Sequence, residues 1–431
     1  MGRGGYLCRR DLGFQPFQER SDILKVLFRQ TKANRYTLPL LLNLVEKWDQ
    51  KGVLELDVAR SPQELAHKMT GADGSLVGYS FMTPHLGEVM EELKILRPLL
   101  GQRDLLVAGG PHASADPEGT MGLGFQVVVA GEAEELIPRL LQAWIEAKGS
   151  RDLHGIWRAA HPCSLEEALP VSRRANFMAP LEITRGCPHG CTYCFTPRLH
   201  PRPIRHRSLS SVREYLAASL EMGRRTARFI APDAFSYRAP GLKDEIESLE
   251  SLLRLCRDMG LKQTHLGDFP SEVRPDRVRP PLLELLLRYC KNRKLVIGAQ
   301  SGSNRILSLI RRGHTVEQVF EAVKQVVASG LMAHVDVLFG LPGETTQDRI
   351  ATLKFMEKLI RVGGVRIHAH MYLPLPRTPL FGLEPAKVET WFMDKIAALH
   401  NHGVLDGDWE AQAILQKKIL SWRQEGLIRA T

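Results

Sequence analysis

The segment ITRGCPHGCTYCFTPR, residues 183–198, places three cysteines within eight residues. Three residues separate Cys187 from Cys191, and two separate Cys191 from Cys194. The segment continues the apolar run LEIT (181–184), so we expect the thiols on a loop at the carboxyl end of a strand. Thiolates that converge from one short loop favour an iron–sulfur cluster or zinc.

The ligand count separates these two metals. Structural zinc normally takes four ligands, usually as two separated pairs, and this segment has no second pair. His189 lies inside the loop and is badly placed as a fourth ligand. Zinc with a distant fourth ligand, or three unrelated thiols, remain the alternatives. Three thiolates leave one iron of a 4Fe-4S cluster open for a substrate, and we predict such a cluster at Cys187, Cys191 and Cys194.

Composition indicates a cytoplasmic protein. The 431 residues carry 58 Lys and Arg against 48 Asp and Glu, a net charge of +10 that is spread along the chain, so nucleic-acid binding is disfavoured. No apolar run approaches the roughly 18 residues of a membrane span, and the start MGRGGYLCRR does not resemble a secretory signal. Cys8, Cys163, Cys256 and Cys290 are scattered, as free thiols are in a reducing compartment. We expect Cys256 and Cys290 to be core residues.

Hydrophobic periodicity predicts an α/β protein with an amino-terminal parallel sheet. Within residues 21–148, five short apolar runs alternate with helical patterns, which is typical of a Rossmann-like sheet covered by helices on both faces. Residues 149–179 are polar and weakly periodic, and we interpret them as a linker with a small hairpin. Strand–helix alternation resumes over 180–380 and predicts a full or partial barrel, here a partial (β/α)6 barrel. Residues 381–431 form a small helical region.

The cysteine spacing, with Tyr193 before the last cysteine, resembles the signature of the radical S-adenosylmethionine (SAM) superfamily. The resemblance implies that the amino and carboxylate groups of SAM chelate the open iron. It also implies one-electron cleavage of SAM to a 5′-deoxyadenosyl radical, with electrons from a donor protein of the ferredoxin or flavodoxin type. Tyr193 is then expected near SAM.

Downstream segments resemble the Elp3/MiaB-like subdivision of that superfamily. These are SEVRPD (271–276), GAQSGSNRILSLIRRGHT (298–315) and VDVLFGLPGET (335–345). The resemblance implies SAM contacts from Glu272 and from Gln300, Ser301, Gly302 and Ser303. Asp233 follows a predicted strand and is a further candidate. The alternatives are a surface carboxylate at Glu272, paired with an arginine, and a purely structural turn at GLPG.

The amino-terminal sheet resembles a cobalamin-binding domain. The segments that carry this resemblance are YSFMTP, AGGPHAS and VVVAGEAEELIPRLL. They imply cobalamin contacts from Ser80, Met82, Gly109, Gly110, Gly131 and Glu132. Glycines at strand ends leave space where a nucleotide tail could lie. The alternative is a sheet that only docks against the barrel.

The loop after the first strand departs from the cobalamin-binding pattern. Domains that ligate cobalt from below carry Asp-x-His-x-x-Gly there, whereas this loop, RQTKANRYTL, has no histidine. We therefore expect cobalt without a protein imidazole, its lower face open or contacted by water, Asn34 or Arg35. His112 follows a different strand, and we expect it to form a loop hydrogen bond.

Two further groups of residues have both a functional and a structural interpretation. PRLHPRPIRHRS (197–208) holds four arginines and two histidines, which fit either an anionic partner or structural ion pairs. His368, His370 and Tyr372 share one face of a late strand, as proton donors or as core residues.

The resemblance covers residues 21–380 and is strongest to B12-binding domain/radical SAM domain proteins of the MJ_1487 type. It implies an enzyme that methylates an unactivated carbon or phosphorus of a small-molecule or unknown substrate. One alternative is a cobalamin-using rearrangement or cyclisation enzyme. Another is a tRNA-modifying enzyme, disfavoured because methylthiotransferases carry three more cluster cysteines in the first domain. A third is a non-catalytic cobalamin or cluster sensor.

Overall fold

The computed structural model describes residues 24–147, 153–238 and 242–430. Cys8 and the prediction about a secretory signal concern residues outside these ranges. Within them, no helix combines the length and the apolar character that a membrane crossing needs.

The amino-terminal strands form one six-stranded parallel sheet. Its strands are β1 (Leu24–Arg29), β2 (Glu55–Ala59), β3 (Gly74–Ser80), β4 (Leu105–Gly109), β5 (Val127–Ala130) and β6 (Gly155–Arg158). Their order is β2-β1-β3-β4-β5-β6. From β1 the chain adds β2 on one side of the sheet and then β3 to β6 on the other, so the strand order reverses between β1 and β3. Open α/β sheets bind ligands at such a switch point.

Helices cover both faces of this sheet, which explains why its strands are continuously apolar. The helices are α1 (Leu38–Gln50), α2 (Pro62–Met69), α3 (Leu86–Leu96), α4 (Gly110–Ala115), α5 (Pro117–Gly122) and α6 (Ala133–Glu146). On one face, α1 and α6 bury Leu41 and Trp144. On the other face, α2 and α3 bury Leu65 and Leu93. The expected Rossmann-like sheet is confirmed.

Strand β6 falls inside the stretch 149–179, which the sequence analysis interpreted as a linker. It pairs in parallel with β5. Its four residues, GIWR, are half-buried or exposed, and so short a run gives no periodic signal. A two-stranded antiparallel hairpin follows, β7 (Val171–Ser172) and β8 (Phe177–Met178). The boundaries of the domains stay predictions.

The second half of the chain forms a partial barrel of parallel strands. They are β9 (Leu181–Glu182), β12 (Thr226–Ile230), β13 (Gln263–His265), β14 (Lys294–Gln300), β15 (Met332–Phe339), β16 (Val365–Met371) and β17 (Leu405–Asp406). A parallel bridge between Val273 and Ile297 links the group β9–β12–β13 to the group β14–β17. Strands β10 (Thr184–Arg185) and β11 (Arg205–His206) pair beside the cysteine segment. The first six barrel strands correspond to the expected (β/α)6 unit, and β17 adds an edge.

Helices alternate with these strands. They are α7 (Thr196–Leu199), α8 (Leu209–Glu221), α9 (Leu242–Asp258), α10 (Pro280–Tyr289), α11 (Asn304–Leu309), α12 (Val316–Ala328) and α13 (Thr346–Ile360), followed by α14 (Thr390–Asn401) and α15 (Trp409–Gln424). Gly330, with φ of 85°, ends α12. A glycine there accepts the left-handed conformation that closes a helix, as the sequence predicts. Cys256 and Cys290 are buried in the barrel core, which confirms their expected role.

The last helix, α15, joins the two halves of the molecule. Gln416 donates to the carbonyl oxygen of Tyr372, just after β16, at 2.6 Å. Ile419 packs into the core of the amino-terminal sheet, and Trp422 lies against Gly87 of α3. Downstream, the backbone N–H of Arg429 donates to Asp116 at 2.9 Å. The carboxyl-terminal region therefore fixes the sheet and the barrel to each other.

Candidate functional site

The cysteine loop is fixed by backbone hydrogen bonds to the barrel. It begins after β9 and β10, at the carboxyl end of the first barrel strand, as predicted. The N–H of Thr192 donates to the carbonyl of Ile310 at 3.0 Å. The guanidinium of Arg198 donates to the carbonyls of Cys194, at 2.7 Å, and Cys191, at 3.4 Å. The loop is therefore held in one shape by groups other than the thiols.

The three thiols suit a cluster better than one zinc ion. Cys191 is buried, and Cys187 and Cys194 are partly exposed. Within the described ranges, the Sγ atoms of the three cysteines do not all lie within 4.8 Å of one another. Thiolates on one tetrahedral zinc, each about 2.3 Å from the metal, would lie roughly 3.8 Å apart. Burial raises the pKa of Cys187 and Cys194, so a positively charged centre is needed to hold them as thiolates.

A buried arginine connects the cysteine loop to predicted SAM residues. Nη1 of Arg312 lies 3.8 Å from Sγ of Cys191. Its Nη2 donates to the carbonyl of Gly298 at 2.9 Å and lies 3.4 Å from Oε1 of Glu272. A Cβ on Gly298 would lie 2.9 Å from Glu272 and 3.0 Å from Nε2 of Gln300. Gly298 therefore provides the space in which Arg312, Glu272 and Gln300 meet, and sequence reasoning had not singled out Arg312.

The other residues of the Gln300–Ser303 segment bond within the barrel wall. The hydroxyl of Ser301 lies 3.2 Å from that of Thr352, which also accepts from the N–H of Gly302 at 3.1 Å. Ser303 donates to Asp348 at 2.6 Å. Of the four predicted residues, only Gln300 lines the central cavity, which lies between the sheet and the barrel. Contact of these four with SAM stays a prediction.

Asp233 and Tyr193 lie in different surroundings. Asp233 is buried, and it accepts from the backbone N–H groups of Phe235 at 3.3 Å and Arg274 at 3.4 Å. Burial raises its pKa to about 6. Tyr193 packs against the apolar cluster of Ile306 and Leu338 and lines the central cavity. Asp233 thus stabilises the loop after β12, whereas Tyr193 is available to a ligand.

The first cavity, called the sheet-edge cavity, has a volume of about 300 Å³ at the carboxyl ends of β1, β3, β4 and β5. Ser80, Gly109, Gly110, Gly131 and Glu132, all predicted to contact cobalamin, border it. Its apolar wall is formed by Phe28, Leu40, Leu41, Val107, Val129 and Ile137. The slot lies at the topological switch point, where open α/β sheets bind ligands.

Gly110 and Gly131, both at this edge of the sheet, differ in the space around their Cα atoms. Both have positive φ, 89° at Gly110 and 101° at Gly131. A Cβ on Gly110 would lie 2.8 Å from Oγ of Ser80, so this turn is packed tightly. A Cβ on Gly131 would have no atom within 4 Å. Gly131 therefore leaves open space beside the cavity.

The second cavity, called the central cavity, has a volume of about 480 Å³ between the sheet and the barrel. Met82 and Pro84 border it from the sheet, and Tyr193, Cys194 and Gln300 from the barrel. His370, Tyr372 and Gln412 complete its wall. The predicted cobalamin residue Met82 thus faces the cysteine loop across one space, in which two cofactors could meet a substrate.

Glu132 joins the sheet to the barrel. Its carboxylate accepts from Arg205, from His200 at 3.2 Å and from the N–H of Cys163 at 2.9 Å, and it lies 3.5 Å from Arg185. Burial would raise its pKa, but the hydrogen bonds from Arg205, His200 and Cys163 hold the pKa far below its usual range. Its oxygens are thus largely engaged within the protein, and contact with cobalamin stays a prediction.

Several arginines of the segment 197–208 also serve the structure. Arg198 holds the cysteine loop, Arg205 pairs with Glu132, and Arg207 donates to the carbonyl of Glu182 at 3.1 Å. Arg202 is exposed and donates to the carbonyl of Pro188 at 3.1 Å. These contacts favour the structural interpretation of this basic segment.

The loop after β1 is braced internally. The amide of Asn34 donates to the carbonyl of Arg29 at 2.7 Å and accepts from the N–H of Thr31 at 2.8 Å. Asn34 is therefore engaged within the loop. His112, by contrast, lies on α4, and its Nδ1 is 3.0 Å from the hydroxyl of Thr83, which confirms the expected loop hydrogen bond.

Comparison with known proteins identifies both halves. Residues 181–356 match the radical SAM superfamily, and residues 45–141 match the B12 binding domain. The chain therefore combines a radical SAM domain with a B12-binding domain. The first implies a 4Fe-4S cluster and SAM, and the second implies cobalamin, so the predicted cofactors are confirmed at the level of these domains.

Solved structures share this fold. The radical SAM methyltransferase TsrM from Kitasatospora setae, with cobalamin and a 4Fe-4S cluster bound, has a TM-score of 0.61 at 17% identity over 83% of this chain and 77% of its own. The cobalamin-dependent SAM radical enzyme OxsB, with aqua-cobalamin bound, has a TM-score of 0.56 at 15% identity over 88% and 55%. At these identities the likeness shows the fold.

Curated relatives match by sequence over a similar span. Protein MK0932 of Methanopyrus kandleri is 25% identical over 334 residues, 64% of this chain and 62% of its own. A tRNA-2-methylthio-N(6)-dimethylallyladenosine synthase from Pelotomaculum thermopropionicum is 28% identical over 272 residues, 61% and 57%. The chain thus spans about three-fifths of the length of these relatives.

Proposed function

We propose that this radical SAM enzyme with a B12-binding domain is a cobalamin-dependent methyltransferase that acts on an unactivated carbon or phosphorus atom. The central cavity carries this proposal, because Cys194 of the cysteine loop and Met82 of the sheet edge border the same space. When bound there, SAM at the cluster supplies hydrogen-atom abstraction and cobalamin supplies the methyl group. A substrate in this cavity would be within reach of both.

The residues around the cavity support this chemistry by position. Arg312 places a guanidinium beside Sγ of Cys191 and Glu272, where it offsets negative charge. Tyr193 and Tyr372 give the cavity aromatic walls against which a substrate can be held in one orientation. Among the described residues, the buried hydroxyl of Tyr372 has no hydrogen-bond partner, so it is free to contact a polar substrate group.

The structural similarity to TsrM, a radical SAM methyltransferase, supports methylation as the reaction class. The methylthio-tRNA synthases among the relatives support a second candidate, modification of tRNA. We favour a small-molecule substrate, because the central cavity lies between two domains and basic residues near it are engaged with carbonyls and with Glu132. The electron donor proposed is a ferredoxin or flavodoxin, and the compartment proposed is the cytoplasm.

Methyl transfer can be tested with SAM that carries a trideuterated methyl group. The reconstituted protein is incubated anaerobically with reductant, hydroxocobalamin and cell extract, and products are read by mass spectrometry. We expect a trideuterated methyl group in a small molecule. A labelled tRNA nucleoside would support the tRNA candidate, 5′-deoxyadenosine without label transfer would support a rearrangement, and neither product would support a sensor.

A matched pair of variants tests the sheet-edge cavity. Ala133→Trp fills the cavity from the start of α6, whereas Ala143→Trp changes a similarly half-buried residue of the same helix that does not border it. We expect Ala133→Trp to lose cobalamin binding and methyl transfer and Ala143→Trp to keep both. Equal cobalamin retention by both variants would contradict the tail site.

A further inference from the structure

Three neighbouring strands carry a row of metal-type ligands on one face. Asp336 on β15 is the register partner of His368 on β16, and His368 is the register partner of Asp406 on β17. His334 and His370 stand two residues along from Asp336 and His368, so they share the same face of their strands. Two aspartates and three histidines therefore lie together inside the barrel.

The ligand atoms of this group converge in two overlapping sets. In the first, Nδ1 of His368 lies 2.5 Å and Nε2 of His334 lies 3.3 Å from Oδ1 of Asp406. In the second, ligand atoms of Asp336, His368 and His370 lie within 4.8 Å of one another, as do those of the first set. His368 belongs to both sets and connects them.

We propose that this His–Asp cluster binds a divalent transition-metal ion through His334, His368 and Asp406. Two imidazoles and one carboxylate are a ligand set typical of zinc and of non-haem iron(II). Ligand atoms of Asp336 and His370 lie within 4.8 Å of a ligand atom of His368.

A simple hydrogen-bond network explains only part of the cluster. It accounts for Asp406, which accepts from both His334 and His368. It does not account for Asp336, which accepts no hydrogen bond from the part of the chain that the structure describes and whose partly buried carboxyl lies among the charges of Glu272, Arg312, Asp406 and Lys294. A divalent cation would neutralise both aspartates at once.

Neighbouring groups hold the ligands as a second layer around the site. Nζ of Lys294 lies 3.4 Å from Nδ1 of His334, and Nε of Arg366 lies 3.1 Å from Oδ2 of Asp406. Such outer contacts orient ligands in metal sites.

The donor types separate this site from the cysteine loop. Its ligands are nitrogen and oxygen, whereas the loop offers sulfur, so cobalt(II) used as a probe gives thiolate charge-transfer bands only at the loop. The test therefore does not depend on SAM cleavage or methyl transfer, and its outcome is independent of the proposed function.

The test titrates the full chain, with its iron–sulfur cluster reconstituted, with cobalt(II) and then with zinc. The variants are His334→Ala and Asp406→Asn, and the matched control is His402→Ala, an exposed histidine of the same carboxyl-terminal half. We expect about one equivalent bound to wild type and control, with d–d bands free of sulfur charge transfer. We expect binding to both variants to weaken about 100-fold or more.

Binding also raises the thermal unfolding midpoint of wild type, because a ligand that binds only the folded state stabilises it. This midpoint, read with and without zinc, keeps the test decisive if a variant folds poorly. Absence of any zinc-dependent rise in wild type and control, or unchanged affinity in both variants, would overturn the proposal.

Discussion

Two residues beside the cysteine loop adopt a backbone conformation that their side chains disfavour. Gln300 has φ of 74° and Arg311 has φ of 52°, in the left-handed region that usually requires glycine. Gln300 lines the central cavity, and the carbonyl oxygen of Arg311 lies 3.7 Å from Sγ of Cys191. Such strain persists where surrounding structure enforces it, commonly at functional sites.

At the residue scale, sequence predicted some residues around the cysteine loop and missed others. Cys194, Tyr193 and Gln300 border the central cavity, and the contacts with SAM that the resemblance implies for Tyr193 and Gln300 stay predictions. Arg312 was missed because an arginine in a charged segment, RRGHT, is indistinguishable from a surface residue until its partners are known.

His112 predicts a pH dependence of stability. It is buried and packs against Phe81 with the two rings tilted by 32°, and burial lowers its pKa to about 4. The unfolded chain takes up a proton at this residue below about pH 6.5, whereas the folded chain resists until about pH 4. His112 therefore destabilises the fold progressively as pH falls through this window, by on the order of 3 kcal/mol at its end.

The measurement is the free energy of chemical unfolding of wild type and His112→Asn between pH 7 and pH 4. We expect the wild-type value to fall more steeply than that of the variant. His402→Asn, at an exposed position, serves as the control and should follow wild type. Parallel curves for wild type and His112→Asn would show that the buried ring is protonated in the fold.

At the scale of elements, the turn after β14 is shaped by close packing against α13. A Cβ on Gly302 would lie 2.6 Å from Cα of Thr352 and from Cβ of Phe355. We expect Gly302→Ala to lower the free energy of unfolding by about 2 kcal/mol, because the helix must move away from the strand. Denaturant titration checks this value.

Gly382→Ala is the matched control, since a Cβ there would have no atom within 4 Å. Its effect should stay within about 0.5 kcal/mol. Equal free energies of unfolding for both variants would mean that α13 can move away from the strand without destabilising the fold. Sequence placed Gly302 in a ligand-binding segment, but a glycine needed for helix packing leaves the same pattern as one needed for ligand approach.

The loop between β1 and α1 predicts the coordination of cobalt. It lacks histidine, and the amide of Asn34 is committed to Arg29 and Thr31. We therefore expect the electron paramagnetic resonance spectrum of the cob(II)alamin-loaded protein to lack nitrogen superhyperfine splitting. Free base-on cob(II)alamin is the control, and a nitrogen triplet from the protein sample would refute this expectation.

Periodicity predicted the long elements of the fold and missed the short ones. The strands and helices of the sheet and the barrel follow apolar runs, because burial on both faces leaves a strong signal. Strand β6 and the short helices α4 and α5 span four to six residues each, too few for a period to emerge. Their placement depends on tertiary contacts with β5 and with the carboxyl terminus.

At the scale of the whole molecule, Glu132 carries the clearest connection between the two domains. Its carboxylate is buried against Arg205 and Arg185. Glu132→Gln leaves Arg205 without its partner charge, whereas Arg185 keeps its ion pairs with Glu134 and Glu182. We expect a loss of about 3 kcal/mol in unfolding free energy.

Cofactor-free protein and denaturant titration suit this measurement. Glu118→Gln is the control, because its ion pair with Arg158 is exposed and long, at 3.8 Å, and such pairs contribute little. If Glu132→Gln matched Glu118→Gln, the domains would be held together by α15 and apolar contacts instead.

The central claim is that Cys187, Cys191 and Cys194 hold one cluster at which SAM is cleaved. The most direct measurement is the yield of 5′-deoxyadenosine from anaerobically reconstituted protein given reductant and SAM, with iron counted in the same sample. We predict about four irons per chain and 5′-deoxyadenosine from wild type and from Cys290→Ala, and neither from Cys191→Ala. Protein that stays colourless or holds zinc after iron and sulfide are supplied, or a Cys191→Ala variant that still forms 5′-deoxyadenosine, would contradict it.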